Sequence, residues 1–311
     1  MIENIVEIKL AADEVLTIKR NSLCSVNPET EKRVAIVTGI HGDELEGQYI
    51  CYELVKRITA NMQHLKGRVD IYPAINPLGI ESACREIPTS ALDMNRVFSA
   101  PDPASISEKV AAAVVADIKG ASVCVDIHAS NIFIREIPQV RILPRDSDYL
   151  MRYAKMLNTD LVWVHESGAV GGGSLAEALI NEGVPTLAVE MGVGGRISVL
   201  YCEQVLHGIF NLMNNLGVWA EPEHGISHPM ISSDGEVHVV HASDAGVFIP
   251  HVEHNMWLSK GSEIGEIVTP ITGTVVQKIT APESGVIFSL REYPIVSEGS
   301  TIARMLSMGS M

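Results

Sequence analysis

Residues 33–44 read Arg-Val-Ala-Ile-Val-Thr-Gly-Ile-His-Gly-Asp-Glu, and this stretch decides the fold. Its first six residues form a short apolar run rich in β-branched side chains, which predicts a buried strand. The segment from Gly39 to Gly42 breaks that strand. Over 43–58, Leu45, Tyr49, Tyr52, Leu54 and Ile58 then recur at helical spacing. The unit is therefore strand, glycine turn, helix, with His41 and Glu44 at the junction. Gly42 is expected to permit a sharp turn that brings both side chains to one point.

Working outward, the same rhythm repeats. Strands are expected at 69–75, 122–127, 161–164 and 185–189, and helices at 107–118, 148–157, 174–182 and 198–216. Strands alternating with helices at this spacing imply an α/β fold: a mostly parallel sheet with helices on both faces. One or two short strands precede it in 1–32. Residues 85–103 lack a clean period and are expected to form a long ordered loop. Near Glu221-Pro222-Glu223-His224-Gly225 the helical period stops, and short β-branched runs separated by glycine and proline follow. The expected division is a catalytic domain over 1–220 and a smaller all-β domain over 221–311. The stretches 260–276 and 281–305 resemble the half-barrel of biotinyl and lipoyl carrier domains. The carrier lysine is missing, because the expected hairpin reads Ser289-Leu290-Arg291-Glu292.

The chain has 311 residues, 46% of them hydrophobic and 20% charged, as in an ordinary globular protein. Its net charge of −15 argues against a nucleic-acid partner, which wants a basic face. Five cysteines are scattered without a CxxC pair, as expected in a reducing compartment. No apolar run is long enough to span a membrane. The N-terminal residues do not read as a signal peptide, so the cytoplasm is the expected location.

Polar residues stand where strands end. His41 follows one strand, Glu44 starts the helix after it, His128 ends a second strand, and Glu190 ends a third. In an open parallel sheet, ligands bind outside the carboxyl ends of the strands. Two imidazoles and a carboxylate suit Zn²⁺ and leave a fourth position for water. Glu190, not needed as a ligand, is placed to take a proton from water and return it to a leaving nitrogen. Asp126 lies two residues before His128 on the same strand face and is a candidate partner for a ligating imidazole, or else a structural acid. The loop holds Arg85 and Asp93-Met94-Asn95-Arg96. One guanidinium there can stabilise an oxyanion, and another can clamp a carboxylate.

The strings HGDE (41–44), DMNR (93–96), DIHAS (126–130) and VEMG (189–192), in this order, resemble the succinylglutamate desuccinylase/aspartoacylase family, whose catalytic domain is similar to the zinc carboxypeptidases. The resemblance covers about residues 33–195 and extends to the β tail. It implies one Zn²⁺ per chain on His41, Glu44 and His128, with Glu190 as general base and acid. It assigns Asn95 and Arg96 to a substrate carboxylate, Arg85 to the scissile carbonyl, and Tyr293 to a position over the site. The expected activity is removal of an acyl group from a small N-acyl amino acid. A carboxypeptidase acting on short peptides, and a non-catalytic binding protein of the same fold, are the alternatives. Aspartoacylase-like members carry an arginine shortly before the catalytic glutamate. Residues 171–185 hold no basic residue, which directs the expectation to a neutral or basic N-acyl amino acid, such as an acylated diamino acid.

The remaining features have plainer readings. Gly171-Gly172-Gly173-Ser174 lacks the dinucleotide and P-loop spacings and is expected to be a tight turn. Gly192-Val193-Gly194-Gly195 is expected to let backbone pass close to the metal site. His224, His228, His238, His241, His251 and His254 invite a second metal site, but His251 and His254 share no nearby strand end or acidic partner arrangement and are expected to be solvated or turn residues. Cys124 is expected in the core. Exposed strand edges in the β domain leave a homo-oligomer open.

Overall fold

The computed structural model describes residues 1–100, 102–166, 172–223, 225–233 and 236–307. The first part of the chain runs β1 (Ile2–Lys9), β2 (Val15–Cys24), β3 (Arg33–Thr38), α1 (Glu46–Ala60), β4 (Arg68–Tyr72), α2 (Pro77–Ser82), α3 (Ile106–Ile118), β5 (Val123–Ala129), β6 (Ile134–Ile142), α4 (Ser147–Ala154), β7 (Leu161–Val164), α5 (Leu175–Asn181), β8 (Thr186–Gly192) and α6 (Val199–Asn215). The second part is β9 (Met230–Ser233), β10 (Val237–His241), β11 (Gly246–Pro250), β12 (Trp257–Leu258), β13 (Glu263–Thr269), β14 (Thr274–Thr280), β15 (Gly285–Arg291), β16 (Ile295–Val296) and β17 (Thr301–Ser307). The fold is α/β, as expected, with a large central sheet, helices on both faces and a second, smaller sheet.

The centre of the large sheet is parallel: β4, β3, β5 and β8 pair in that order. β3 accounts for both faces. Val34 and Ile36 join one apolar cluster, with Ile50, Leu54 and Ile58 of α1 and Val205, Ile209 and Met213 of α6. Ala35 and Val37 join the other, with Val110 and Val114 of α3 and Leu179 of α5. A strand covered on both sides reads as a continuous apolar run.

Several boundaries differ from the sequence reading. α1 begins at Glu46, so Glu44 lies in the turn and not in the helix. β4 ends at Tyr72, three residues before the expected end of the strand, and α2 follows, a helix for which no element was expected. The segment 85–100 is irregular, as expected, except for one short 3-10 turn over Met94–Arg96.

The main unexpected element is β6. It runs antiparallel to β8 with a register shift between Glu136 and Gln139, and antiparallel to β15. Its sequence, IREIPQVRI, alternates poorly because of that irregularity and the internal Pro138. The C-terminal strands are also divided differently from the expected separate unit. β11, β13, β14 and β16 form the small sheet, while β10, β12, β15 and β17 extend the large one through the β6–β15 pairing. Ser289 and Arg291, expected in a hairpin, are instead strand residues at that joint, paired with Glu136 and Ile134.

Candidate metal centre and catalytic cleft

The turn after β3 carries His41 and Glu44. Two glycines shape it for different reasons. Gly39 adopts φ +69°, the left-handed region. Gly42 serves space rather than φ: a Cβ there would lie 1.9 Å from the backbone carbon of Gly79. The turn is thus pressed against α2, which the sequence reading had omitted.

His41, Glu44 and His128 converge and are almost wholly buried, at 2%, 3% and 3% exposure. His41 Nδ1 lies 2.7 Å from Glu44 Oε1, His128 Nδ1 lies 2.9 Å from Glu44 Oε2, and the two Nδ1 atoms are 3.3 Å apart. Both rings therefore present Nδ1 to a common point and turn Nε2 outward. His41 Nε2 meets Asp93 Oδ1 at 3.0 Å, and His128 Nε2 meets Asp126 Oδ2 at 3.1 Å. Each imidazole is oriented by its own carboxylate, the arrangement that fixes the tautomer of metal-ligating histidines. Asp126 sits where the strand spacing put it. Asp93 was quoted in the sequence motif but not recognised as the partner of His41.

The electrostatics fit a divalent cation. Burial pulls both histidine pKa values down, yet Glu44 with Asp93 raises that of His41, and Asp126 with Glu44 raises that of His128 well above its ordinary value. With both imidazoles neutral, three carboxylates against the single guanidinium of Arg85 leave the cluster short of positive charge, which a doubly charged ion bound by deprotonated ligands would supply. The donor set and its buried, converging nitrogens fit zinc.

A cavity of about 450 Å³ opens on His41 and Glu44, and Arg85, Asn95, Arg96 and Glu190 line it with Glu136, Arg141 and Arg304. Glu190 stands beside His128 in the β5–β8 register. Burial pushes its carboxyl above the ordinary glutamate range, against the pull of Arg141 and His128. Asn95 is fixed by Leu175, whose backbone N–H donates to Asn95 Oδ1 at 3.0 Å. Arg96 is exposed at the cavity, and no carboxylate among the described residues pairs with it. Arg85 donates to Glu44 at 2.9 Å and to Asp93 at 3.3 Å, so it braces the His41–Glu44–His128 group from the cavity side. Tyr293 is 47% exposed and does not line the cavity; its ring meets Phe133 edge-on, and Phe133 is the aromatic residue that does.

Sequence reading missed Glu136, Arg141 and Arg304 altogether. The absence of a basic residue over 171–185 does not leave Glu190 without a cation, because Arg141 arrives from β6, with Nη1 3.4 Å from Glu190 Oε1. The polar residues set among the apolar ones of IREIPQVRI were the one available signal.

Other expectations resolve simply. Gly172 and Gly173 take positive φ, and Ser174 caps α5 by accepting from Glu177, as expected of a tight turn; Gly171 lies outside the described residues. Gly195 N donates to Asp43 O at 2.6 Å, so the Gly192–Gly195 backbone does pass beside the metal turn. Cys124 is buried in the core. His251 corrects the reading of the late histidines: it pairs with Glu263 at 3.0 Å and groups with Glu266. His254 also has a partner, the Tyr201 hydroxyl. His224 lies outside the described residues.

The model of the succinylglutamate desuccinylase/aspartoacylase catalytic domain matches residues 30–216. The chain belongs to the succinylglutamate desuccinylase/aspartoacylase family. Family members are desuccinylases and aspartoacylases, hydrolases that remove acyl groups at amide bonds. Among solved structures, the chain is similar to a succinylglutamate desuccinylase/aspartoacylase from Rhodobacter sphaeroides, at 21% identity and a TM-score of 0.80, over 98% of this chain and 94% of that one. It is also similar to the ectoine utilization protein EutE (DoeB) from Ruegeria pomeroyi, solved with product bound, at 19% identity and a TM-score of 0.81, over 97% and 93% of the two chains. A succinylglutamate desuccinylase from Silicibacter sp. TM1040 gives 18% and 0.81, over 98% and 95%. These likenesses describe the fold. No curated protein matches the sequence. Among the described residues no helix is long and apolar enough to cross a membrane.

Proposed function

We propose that the protein is a zinc-dependent deacylase that hydrolyses the amide bond of a small N-acyl amino acid, with one zinc per chain held by His41, Glu44 and His128. The observation that carries this reading is the convergence of two Nδ1 atoms and a carboxylate in a buried cluster, with Glu190 on the neighbouring strand at the same cavity. Held by these residues, a zinc ion would supply a lowered pKa for water and polarisation of a carbonyl.

The chain's own residues supply the rest. Arg96, with Asn95 beside it, holds the substrate carboxylate; its guanidinium at the cavity donates to Asn95 O at 2.7 Å and meets no carboxylate among the described residues, which supports that role. Arg85 faces the scissile carbonyl from the mouth. Its bonds to Glu44 and Asp93 keep it there and leave the planar fork partly committed. Tyr293 acts on the site through Phe133 rather than by touching substrate.

Glu190 accepts a proton from the attacking water as oxygen adds to the carbonyl carbon. It then passes that proton to the amide nitrogen as the C–N bond breaks, giving an amine and a carboxylic acid, whose remaining proton goes to the amine or to solvent. Its raised pKa suits both roles.

The far wall of the cavity is balanced in charge: Arg141 and Arg304 face Glu136 and Glu190. This supports a substrate with a single carboxylate and a neutral or basic remainder, over one with a second carboxylate. Arg304 comes from β17, so C-terminal strands help wall the cavity, which supports a small substrate. The proposed boundary between catalytic and β domains near residue 220 therefore separates chain segments that share one site.

The deciding experiment combines metal analysis with a turnover screen. Close to one zinc per chain is expected, with hydrolysis of acetyl, formyl or succinyl derivatives of neutral or basic amino acids. A folded protein that takes up no zinc would sink the reading. Faster cleavage of tripeptides would transfer it to a carboxypeptidase.

A further inference from the structure

Glu136, Ser289 and Arg304 stand in register across β6, β15 and β17. Glu136 is 1% exposed, and its carboxylate is shared between two guanidiniums. Oε1 accepts from Arg304 and Oε2 from Arg141, each at 2.6 Å. Arg141 also reaches Glu190, but at 3.4 Å. Arg141 thus lies between two carboxylates and is held tightly by only one. Its guanidinium rests 5.7 Å from the Trp163 ring, which limits movement on that side.

A buried arginine beside a single carboxylate takes both of its oxygens in a bidentate fork. A Glu190 held that way would have both oxygens engaged by the cation, leaving only their outer lone pairs, and those less basic, for the proton of water. From these unequal distances we infer that Glu136 is a positioning residue for the reaction. Anchored by Arg304, it draws Arg141 aside, so that Glu190 keeps a nearby positive charge and an oxygen available as acceptor. The C-terminal strand that bears Arg304 is then part of the hydrolytic apparatus as well as a wall. The inference rests on Glu190 being the base proposed above.

The test uses the full-length, zinc-loaded protein and an N-acyl amino acid that the wild type turns over. Glu136→Gln should keep its zinc, lower kcat by roughly tenfold to a hundredfold and leave KM little changed. In its crystal structure, Arg141 should have closed on Glu190 with two hydrogen bonds. The double variant Glu136→Gln/Arg141→Gln should be faster than Glu136→Gln alone, a rescue that a purely structural role would not give. Glu136→Asp, which keeps the charge but shortens the reach, should shift kcat the same way by less, and it serves if Glu136→Gln does not fold. Unchanged kcat, an Arg141 still clear of Glu190, or a double variant no faster than the single would each overturn the inference. Wild-type protein inert toward every N-acyl amino acid would instead overturn the deacylase reading, while the position of Arg141 in the variant would still decide the pairing.

Discussion

His41 Nε2 and Asp93 Oδ1 meet at 3.0 Å across a sequence separation of 52 residues, joining the turn after β3 to the loop that carries Asn95 and Arg96. The same carboxylate takes a bond from the Asn95 backbone N–H at 2.9 Å and one from Arg85 at 3.3 Å. One side chain therefore ties the proposed zinc ligand to the proposed substrate clamp.

Asp93→Asn should weaken zinc binding by roughly tenfold to a hundredfold, because the amide is a poorer acceptor for the imidazole N–H. It should also raise KM, because the clamp loop loses its anchor. Chelator competition and steady-state kinetics on one preparation read both effects. Zinc affinity equal to wild type would show that His41 needs no such partner.

Glu190→Gln should retain zinc and fold while kcat falls by roughly a hundredfold to ten-thousandfold, the usual worth of a general base. The base acts when ionised, so kcat/KM should rise with pH along an acidic limb in the wild type. A Glu190→Gln variant with residual activity that keeps the same acidic limb would contradict the assignment.

Arg96→Ala should raise KM far more than it lowers kcat, since an exposed guanidinium gripping a carboxylate contributes equally before and during reaction. Arg96→Lys should recover only part of the loss, because the ammonium lacks the planar fork. Equal falls in kcat and kcat/KM with KM unchanged would move Arg96 from binding to transition-state stabilisation.

Glu46 makes stability depend on pH. It is fully buried, and burial pushes its carboxyl from 4.5 up to about 8. In the unfolded chain the proton leaves near the ordinary value, whereas in the folded protein it is held to higher pH. The associated stability is complete below about pH 4.5 and is lost as pH rises to about 8. Glu46→Gln should flatten this decline, read as urea midpoints across that range at one metal content. Parallel curves for the two proteins would remove Glu46 as the cause.

Gly42→Ala should destabilise the protein by about 1–3 kcal/mol or more through overpacking and lower its zinc content, because the new Cβ would overlap Gly79 backbone. Thermal melts and metal analysis measure the two losses. Wild-type behaviour in both would mean that the turn relaxes freely against α2.

The sequence by itself determined the parallel centre, its helical layers and the identity of the three convergent side chains and of Glu190 on the neighbouring strand. Those features are local: a run such as 33–38 must be covered on both faces, and a residue at its carboxyl end must emerge at the sheet edge. The tertiary structure decided the rest. Which carboxylate orients His41, why Gly42 must be small, and where the cation beside Glu190 originates all depend on residues distant in sequence. Arg141 and Arg304 reach Glu136 only because β6 inserts antiparallel between β8 and β15. Strand order across a sheet is set by long-range pairing, and no local period records it. For that reason the missing basic residue over 171–185 was true of the sequence yet misleading about the charge around Glu190.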